Sequence, residues 1–196
     1  MARLRGRSRY GAAKARAFPI LAPVLCALLC IGAASAQEYD RRDWMPSGWE
    51  DADGDCQDTR AEVLIRDAVG PVTLSADGCR VVAGEWVGPY TARVFTDPRE
   101  LDIDHVVALA HTHAAGGWAW SPEKKRAYAQ WMPGLVAVEA SANRRKGAKG
   151  PDQWMPEIQR CWYATVWRAT KSAWGLLIGR AEDRTLTAAC DPAAGS

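Results

Sequence analysis

Apolar positions change period several times along the chain, and each change marks an element. In "TRAEVLIRDA" (59–68), Ala61, Val63 and Leu64 fall on one side of a helical turn, so a short amphipathic helix is expected. Between 70 and 97, "VTLSADGCRVVAGEWVGPYTARVF" runs in short alternating stretches punctuated by Asp77-Gly78 and Gly88-Pro89, which predicts a β-meander. Leu101 to Leu109 alternates at first, becomes wholly apolar, and reads as one strand. Ser121-Pro122-Glu123 signals the start of a helix that ends before Pro133. "GLVAVEA" (134–140) reads as a strand, and Ser141 is placed to cap a short helix that Gly147 or Gly150 ends. The segment 156–177 predicts a C-terminal helix, with Ile158, Trp162, Val166 and Ala169 spaced by threes and fours. Residues 37–50, with Trp44, Pro46, Gly48 and Trp49, read as an irregular arm held by aromatics. The mixture indicates α+β.

The first 36 residues stand apart from this pattern. Arg3, Arg5, Arg7, Arg9, Lys14 and Arg16 precede an apolar run from Ala17 to Ile31, and Ala34-Ser35-Ala36 supplies a small-x-small cleavage pattern. This predicts a cleaved export signal over 1–36, since the run is short of the roughly 20 residues a membrane span needs. It also implies an exported protein, periplasmic or extracellular, with no stable membrane association once the signal is removed. The six basic residues leave with the leader. The mature chain then carries 19 basic against 23 acidic residues, net −4, instead of the +2 of the whole sequence. Such a chain would have to hold an anion through a local patch.

What remains, 37–196, suits one domain. Its four cysteines, Cys56, Cys79, Cys161 and Cys190, read as two disulfides in an oxidising compartment. Three pairings exist, and the short-loop one, Cys56–Cys79 with Cys161–Cys190, is preferred.

Two stretches carry candidate chemistry. In "DIDHVV", Asp104 offers a hard oxygen ligand beside His105, whose ordinary pKa suits proton transfer near neutrality. Strand alternation opposes this pairing, because neighbours on a strand point to opposite faces. In "SANRRKG", Asn143 offers an amide oxygen, while Arg144, Arg145, Lys146 and Lys149 form a basic cluster at a helix start.

Taken in order, "LDIDHVVALAH" and "LVAVEASANRRKGAKGPDQWMP" resemble the HNH (His-Me finger, ββα-metal) endonuclease superfamily. The closer likeness is to the secreted branch that resembles the C-terminal domain of GmrSD-type restriction enzymes. The upstream "DGDCQDTRAEVLIRD" and "CRVVAGEWVGPYT" also look typical of that branch. The resemblance implies a single domain built around a ββα-metal motif at about 100–150, with the β-meander before it and a helix after it. It implies an endonuclease that hydrolyses phosphodiester bonds of DNA, or RNA, with low sequence specificity. By it, His105 is the general base; Asp104 and Asn143 hold one divalent ion, Mg²⁺ or Mn²⁺ ahead of Zn²⁺; and Arg144, Arg145 and Lys146 contact phosphate, with Lys146 and Asn143 counted in the catalytic set. His111, Arg60 and Glu62 would support the site from behind, the last two by ion pairing. The chain departs from the pattern at Ala108, where many members have proline, and at Gly134, where a ring-orienting Asn or His is usual.

The rival reading is a non-catalytic exported metal-binding module. His105, His111 and His113 would share a strand face and could hold zinc. Alternatively Asp51, Asp53, Asp55 and Glu62, at positions 1, 3, 5 and 12 of an EF-hand-like loop, could hold calcium, although Cys56 stands where glycine is expected. On its own, His113 reads as ordinary surface. Trp118, Trp120 and Trp131 read as core filling, with stacking on bases as the other option.

Overall fold

Two adjacent five-residue segments, Leu101–His105 (β5) and Leu135–Glu139 (β6), pair antiparallel at the centre of the protein. The computed structural model describes residues 38–191; the leader expected over 1–36 lies outside them. Register runs from Leu101 opposite Glu139 to His105 opposite Leu135. Every residue of β6 is buried, so this two-stranded sheet has a core on each side. Leu101, Ile103, Leu135 and Ala137 face one cluster, shared with Ala61, Val63 and Leu64 of helix α1 (Thr59–Asp67) and with Trp86 and Phe95. Val136 and Val138 face the other, where Val106, Val107 and Tyr90 meet the C-terminal helices α5 (Arg160–Ala173) and α6 (Arg180–Ala188). The strand period of two thus assigns Asp102 and Asp104 to the second face and His105 to the first.

The expected helix at 59–68 is α1. Asp58 caps it by accepting from the Ala61 N–H at 2.9 Å. The expected meander is instead two separate hairpins, β1 (Thr73–Leu74) with β2 (Val81–Ala83) and β3 (Trp86–Val87) with β4 (Val94–Phe95). No ladder joins β2 to β3: the Gly84 N–H reaches Thr96 O and Val69 N–H reaches Glu85 O.

The reading of 101–109 as one strand is corrected. The strand ends at His105, Val106 and Val107 turn into the second core, and a helix, α2 (Leu109–Ala114), follows. An apolar run without periodicity does not separate strand from helix. Ala108 has φ −54° and ψ 146°, a conformation proline shares, so the turn survives the substitution. Helix α3 (Pro122–Ala129) starts on Ser121 as expected. Helix α4 spans Ala140–Lys146, so Glu139, not Ser141, is its first flanking residue, and Gly147 at φ 55° ends it.

The C-terminal helix begins later than expected, at Arg160. It buries Tyr163, Ala164, Trp167, Thr170 and Lys171, with Trp162 and Val166 only partly covered and Ile158 outside it. The pattern gave no hint of α6. Disulfides join Cys56 to Cys79 and Cys161 to Cys190, the short-loop pairing; the second staples α5 to the turn that follows α6. The arm before α1 packs Trp44 and Met45 against Leu109, Tyr128 and Ala129, forming a third cluster with Trp120 and Trp174 at its margin. The architecture is α+β with small antiparallel sheets.

Candidate active site

His105 closes β5 with 6% of its surface exposed. Its imidazole lies between two parallel rings, Trp49 at 5.6 Å and Tyr128 at 6.2 Å between centroids. Nε2 stands 2.9 Å from the carbonyl oxygen of Ala129, the last residue of α3. A carbonyl only accepts, so Nε2 carries the proton and Nδ1 keeps a lone pair. Gly134 supplies no side chain to the ring; its carbonyl accepts from the Val106 N–H at 2.9 Å. A backbone carbonyl therefore orients the imidazole. Burial, reinforced by the charges of Arg41 and Lys146, pulls the His105 pKa down to about 3, so the ring is neutral at physiological pH.

Asp104, on the opposite face of β5, has both carboxylate oxygens engaged. Oδ2 accepts from the Tyr90 hydroxyl at 2.7 Å and Oδ1 from Lys146 Nζ at 2.9 Å. Lys146 is fully buried, and its ammonium also donates to the carbonyl oxygen of His105 at 2.9 Å. Burial raises the Asp104 pKa, against the opposing pull of Lys146 and Tyr90, and burial together with Asp104 drives that of Tyr90 well up. Lys146 therefore ties helix α4 to the end of β5 rather than reaching solvent. Expected at a phosphate, it is enclosed.

Asn143, one helical turn before Lys146, meets a different carboxylate. Its Nδ2 donates to Asp102 Oδ2 at 3.1 Å. Asp102 and Asp104 share a face, so the sheet brings the amide to Asp102 and the ammonium to Asp104. Asp102, Asp104 and Asn143 border a single cleft of about 460 Å³, together with His105, Gly147 and Ala148, while Lys146 lies behind it. Four consecutive β5 residues, Asp102 to His105, line it. Residues from both faces of β5 thus border one cleft. This resolves the difficulty that alternation posed for Asp104 and His105.

The other expected residues scatter. Arg144 and Arg145 are exposed on α4, Arg145 donating to Ser141 Oγ at 3.2 Å and lying 3.7 Å from Glu157. Arg60 does support β5, but through carbonyls: its Nη2 donates to Pro98 O at 2.9 Å and Leu101 O at 3.0 Å, with no ion pair. Glu62 braces nothing in the cleft. It faces Asp51, Asp53, Asp55 and Asp58, and desolvation with their charge raises its pKa.

The three histidines part company because α2 is a helix. His111 turns toward the C-terminal helices, 3.9 Å from Glu182 and edge-on to Trp167, where burial lowers its pKa. His113 is buried, not superficial, beside Tyr39 and Trp44. A three-histidine zinc site is therefore not assembled. Carboxylate oxygens of Asp51, Asp53 and Asp55 do converge within 4.8 Å of one another, in an exposed loop.

Over 164 residues the chain is 33% identical to a protein of Arthroderma benhamiae described as an uncharacterized secreted protein, covering 81% of this chain and 78% of that one. The chain belongs to the family of this secreted protein. No family model and no solved structure matches it. With a secreted relative and two disulfides, this family member is an exported protein. Among the described residues, no helix is long and apolar enough to cross a membrane.

Several contributors to the cleft gave no signal or a faint one in the sequence. Ala129 acts through its backbone and leaves no trace. Asp102 was visible as the residue two before Asp104, on the same face. Trp49 reads in the sequence only as one aromatic of the irregular arm, and no motif there singles out Tyr90 or Tyr128.

Proposed function

We propose that the protein is an exported metal-dependent endonuclease that hydrolyses phosphodiester bonds, in DNA ahead of RNA, with His105 as general base. The observation that carries this reading is the neutral His105 ring. Its Nε2–H is held by Ala129, its plane is clamped by Trp49 and Tyr128, and it borders the same cleft as Asp102 and Asn143. The β5–β6–α4 succession supports a ββα-metal motif as the frame.

The donor set fits a hard divalent ion. Asp102 keeps one carboxylate oxygen outside its contact with Asn143, and the Asn143 amide oxygen is likewise uncommitted. A hydrated Mg²⁺ needs only one or two protein oxygens. Asp104, with both oxygens taken, fits less well than expected, so Asp102 replaces it as the proposed ligand beside Asn143. When bound, such an ion neutralises charge on the phosphate and on the leaving oxygen.

The chain's own groups then have defined tasks. His105 Nδ1 accepts the proton of the attacking water, and Trp49 and Tyr128 keep the ring from rotating and shield it from bulk solvent. Lys146 fixes the end of β5 by holding the His105 carbonyl and the Asp104 carboxylate together. A base of pKa about 3 is weak in the free cleft. An anionic phosphate beside it favours the protonated ring and strengthens the base when substrate is present.

Purified mature protein should nick and linearise supercoiled plasmid with Mg²⁺ or Mn²⁺ and stop on EDTA addition. Asp102→Ala and Asn143→Ala should weaken Mn²⁺ binding, followed by electron paramagnetic resonance. An intact plasmid under all these conditions refutes the proposal. The alternative, a non-catalytic metal-binding module, keeps one observation in its favour, the convergence of Asp51, Asp53 and Asp55. Stoichiometric Ca²⁺ binding with no cleavage would select it.

A further inference from the structure

With Lys146 enclosed, the cleft needs another cation to hold the phosphate that His105 would act on. Two arginines line it. Arg60 has its guanidinium turned to the carbonyls of Pro98 and Leu101. Arg41 is exposed, and among the described residues no carboxylate pairs with it: Asp40, its neighbour, is taken by Arg42 through contacts of 2.8 to 3.2 Å. What Arg41 does touch is weak or neutral. Its Nη2 donates to the Met45 thioether at 3.2 Å, and it bonds the Tyr39 side chain. A guanidinium has five donors, so most remain for a ligand.

The arm that carries Arg41 is anchored. Arg41 opens a 3-10 turn whose cap is the Asp40 carboxylate, and the following Trp44 and Met45 are 0% and 7% exposed in the third core cluster. Tyr39 and Trp49 of the same arm also border the cleft, and Trp49 is stacked on the His105 ring. Arg41 is thus an unneutralised charge on an anchored support, lining the same cleft as the imidazole. Its field already reaches that ring, since it helps to lower the His105 proton affinity.

We propose that Arg41 binds a non-bridging oxygen of the phosphodiester presented to His105, making the N-terminal arm part of the substrate site. This rests on the endonuclease reading and adds to it a phosphate ligand outside the β5–β6–α4 unit. Planar, bidentate-capable donors suit a phosphate better than a lysine would. In a chain whose mature net charge is −4, one such local cation carries much of the attraction for an anion.

The test compares the mature wild type with Arg41→Ala, Arg41→Lys, Arg42→Ala and His105→Ala. Cleavage of a labelled DNA oligonucleotide is followed with Mg²⁺, and binding of the same strand is followed by anisotropy in EDTA across a salt series. Arg41→Ala should lower kcat/KM by about 10²-fold, the order seen for loss of one charge-stabilising donor. It should also flatten the slope of log K against log salt by about 0.7, one phosphate contact on a single strand. Arg41→Lys should recover part of both, and the ion-paired Arg42 should serve as a neutral control with unchanged melting. If wild type cuts, His105→Ala does not, and Arg41→Ala matches Arg42→Ala in rate and salt slope, the inference about Arg41 is overturned while the nuclease reading stands. If wild type itself does not cut, both fall.

Discussion

Replacing Lys146 by methionine separates the enclosed role from the one its sequence suggested. In the fold its ammonium is fully buried and makes two contacts of 2.9 Å, to Asp104 Oδ1 and to His105 O. Methionine fills much of the space but leaves Asp104, itself 4% exposed, with the Tyr90 hydroxyl alone. Breaking a buried pair by removing one partner costs about 3–5 kcal/mol. For a chain of this size that is a fall in Tm of roughly 10 °C. The cost should depend on pH in a defined direction. The Asp104 carboxyl, raised by burial in the wild type, would go higher without Lys146, so the folded variant binds that proton more tightly than the unfolded chain does. Its stability deficit should therefore shrink as pH falls from 7 toward about 4. Urea denaturation of Lys146→Met, Asp104→Asn and the double variant at several pH values measures this. The double variant should recover most of the loss of either single one. If Lys146→Met instead keeps its denaturation midpoint and loses only nucleic-acid binding, Lys146 reaches the substrate and the enclosed pair is wrong.

Other expectations follow from the same contacts. His105 has a folded pKa of about 3 against an unfolded value of about 6.5, so between these the unfolded chain binds the extra proton. Stability should fall as pH drops through that window, by up to about 1.4 kcal/mol per unit, and His105→Gln should lack this component; parallel curves for the two proteins would contradict it. Trp49→Ala opens one face of the imidazole to water, so the His105 pKa should rise toward its ordinary value in a proton NMR titration, and an unchanged titration would show the stack to be unimportant. The Cys161–Cys190 bridge closes a 29-residue separation, worth about 3–4 kcal/mol by loop entropy. Replacing both cysteines with serine should lower the denaturation midpoint accordingly, and a shift below about 1 kcal/mol would argue against it.

How much of this was legible differs from element to element. Helix α1 was readable because Ala61, Val63 and Leu64 fall on one side of a helical turn. The disulfide pairing was readable from loop lengths. The β5–β6–α4 succession was readable as pattern, but its contacts were not. Lys146 sits in "NRRKGAK", where local composition says surface; only tertiary partners, Asp104 and the His105 carbonyl, make burial tolerable. The ammonium went to one aspartate and the amide of Asn143 to the other because residues 102 and 104 share a face, which a linear motif does not weigh. The histidine trio looked like a cluster because "HVVALAHTH" was read as extended. As a helix it sends His111 and His113 to different neighbours. Helix α6 escaped notice because it buries only Glu182 and Leu186, too sparse a stripe to show a period.

The role of His105 is tested most directly by one comparison: mature wild type and His105→Ala, matched for folding by circular dichroism, on supercoiled plasmid with Mg²⁺. We expect wild type to convert the plasmid to nicked and linear forms and His105→Ala to lose that conversion by at least about 10²-fold, the scale of a general base. Equal conversion by the two proteins would contradict the assignment of His105 as the base.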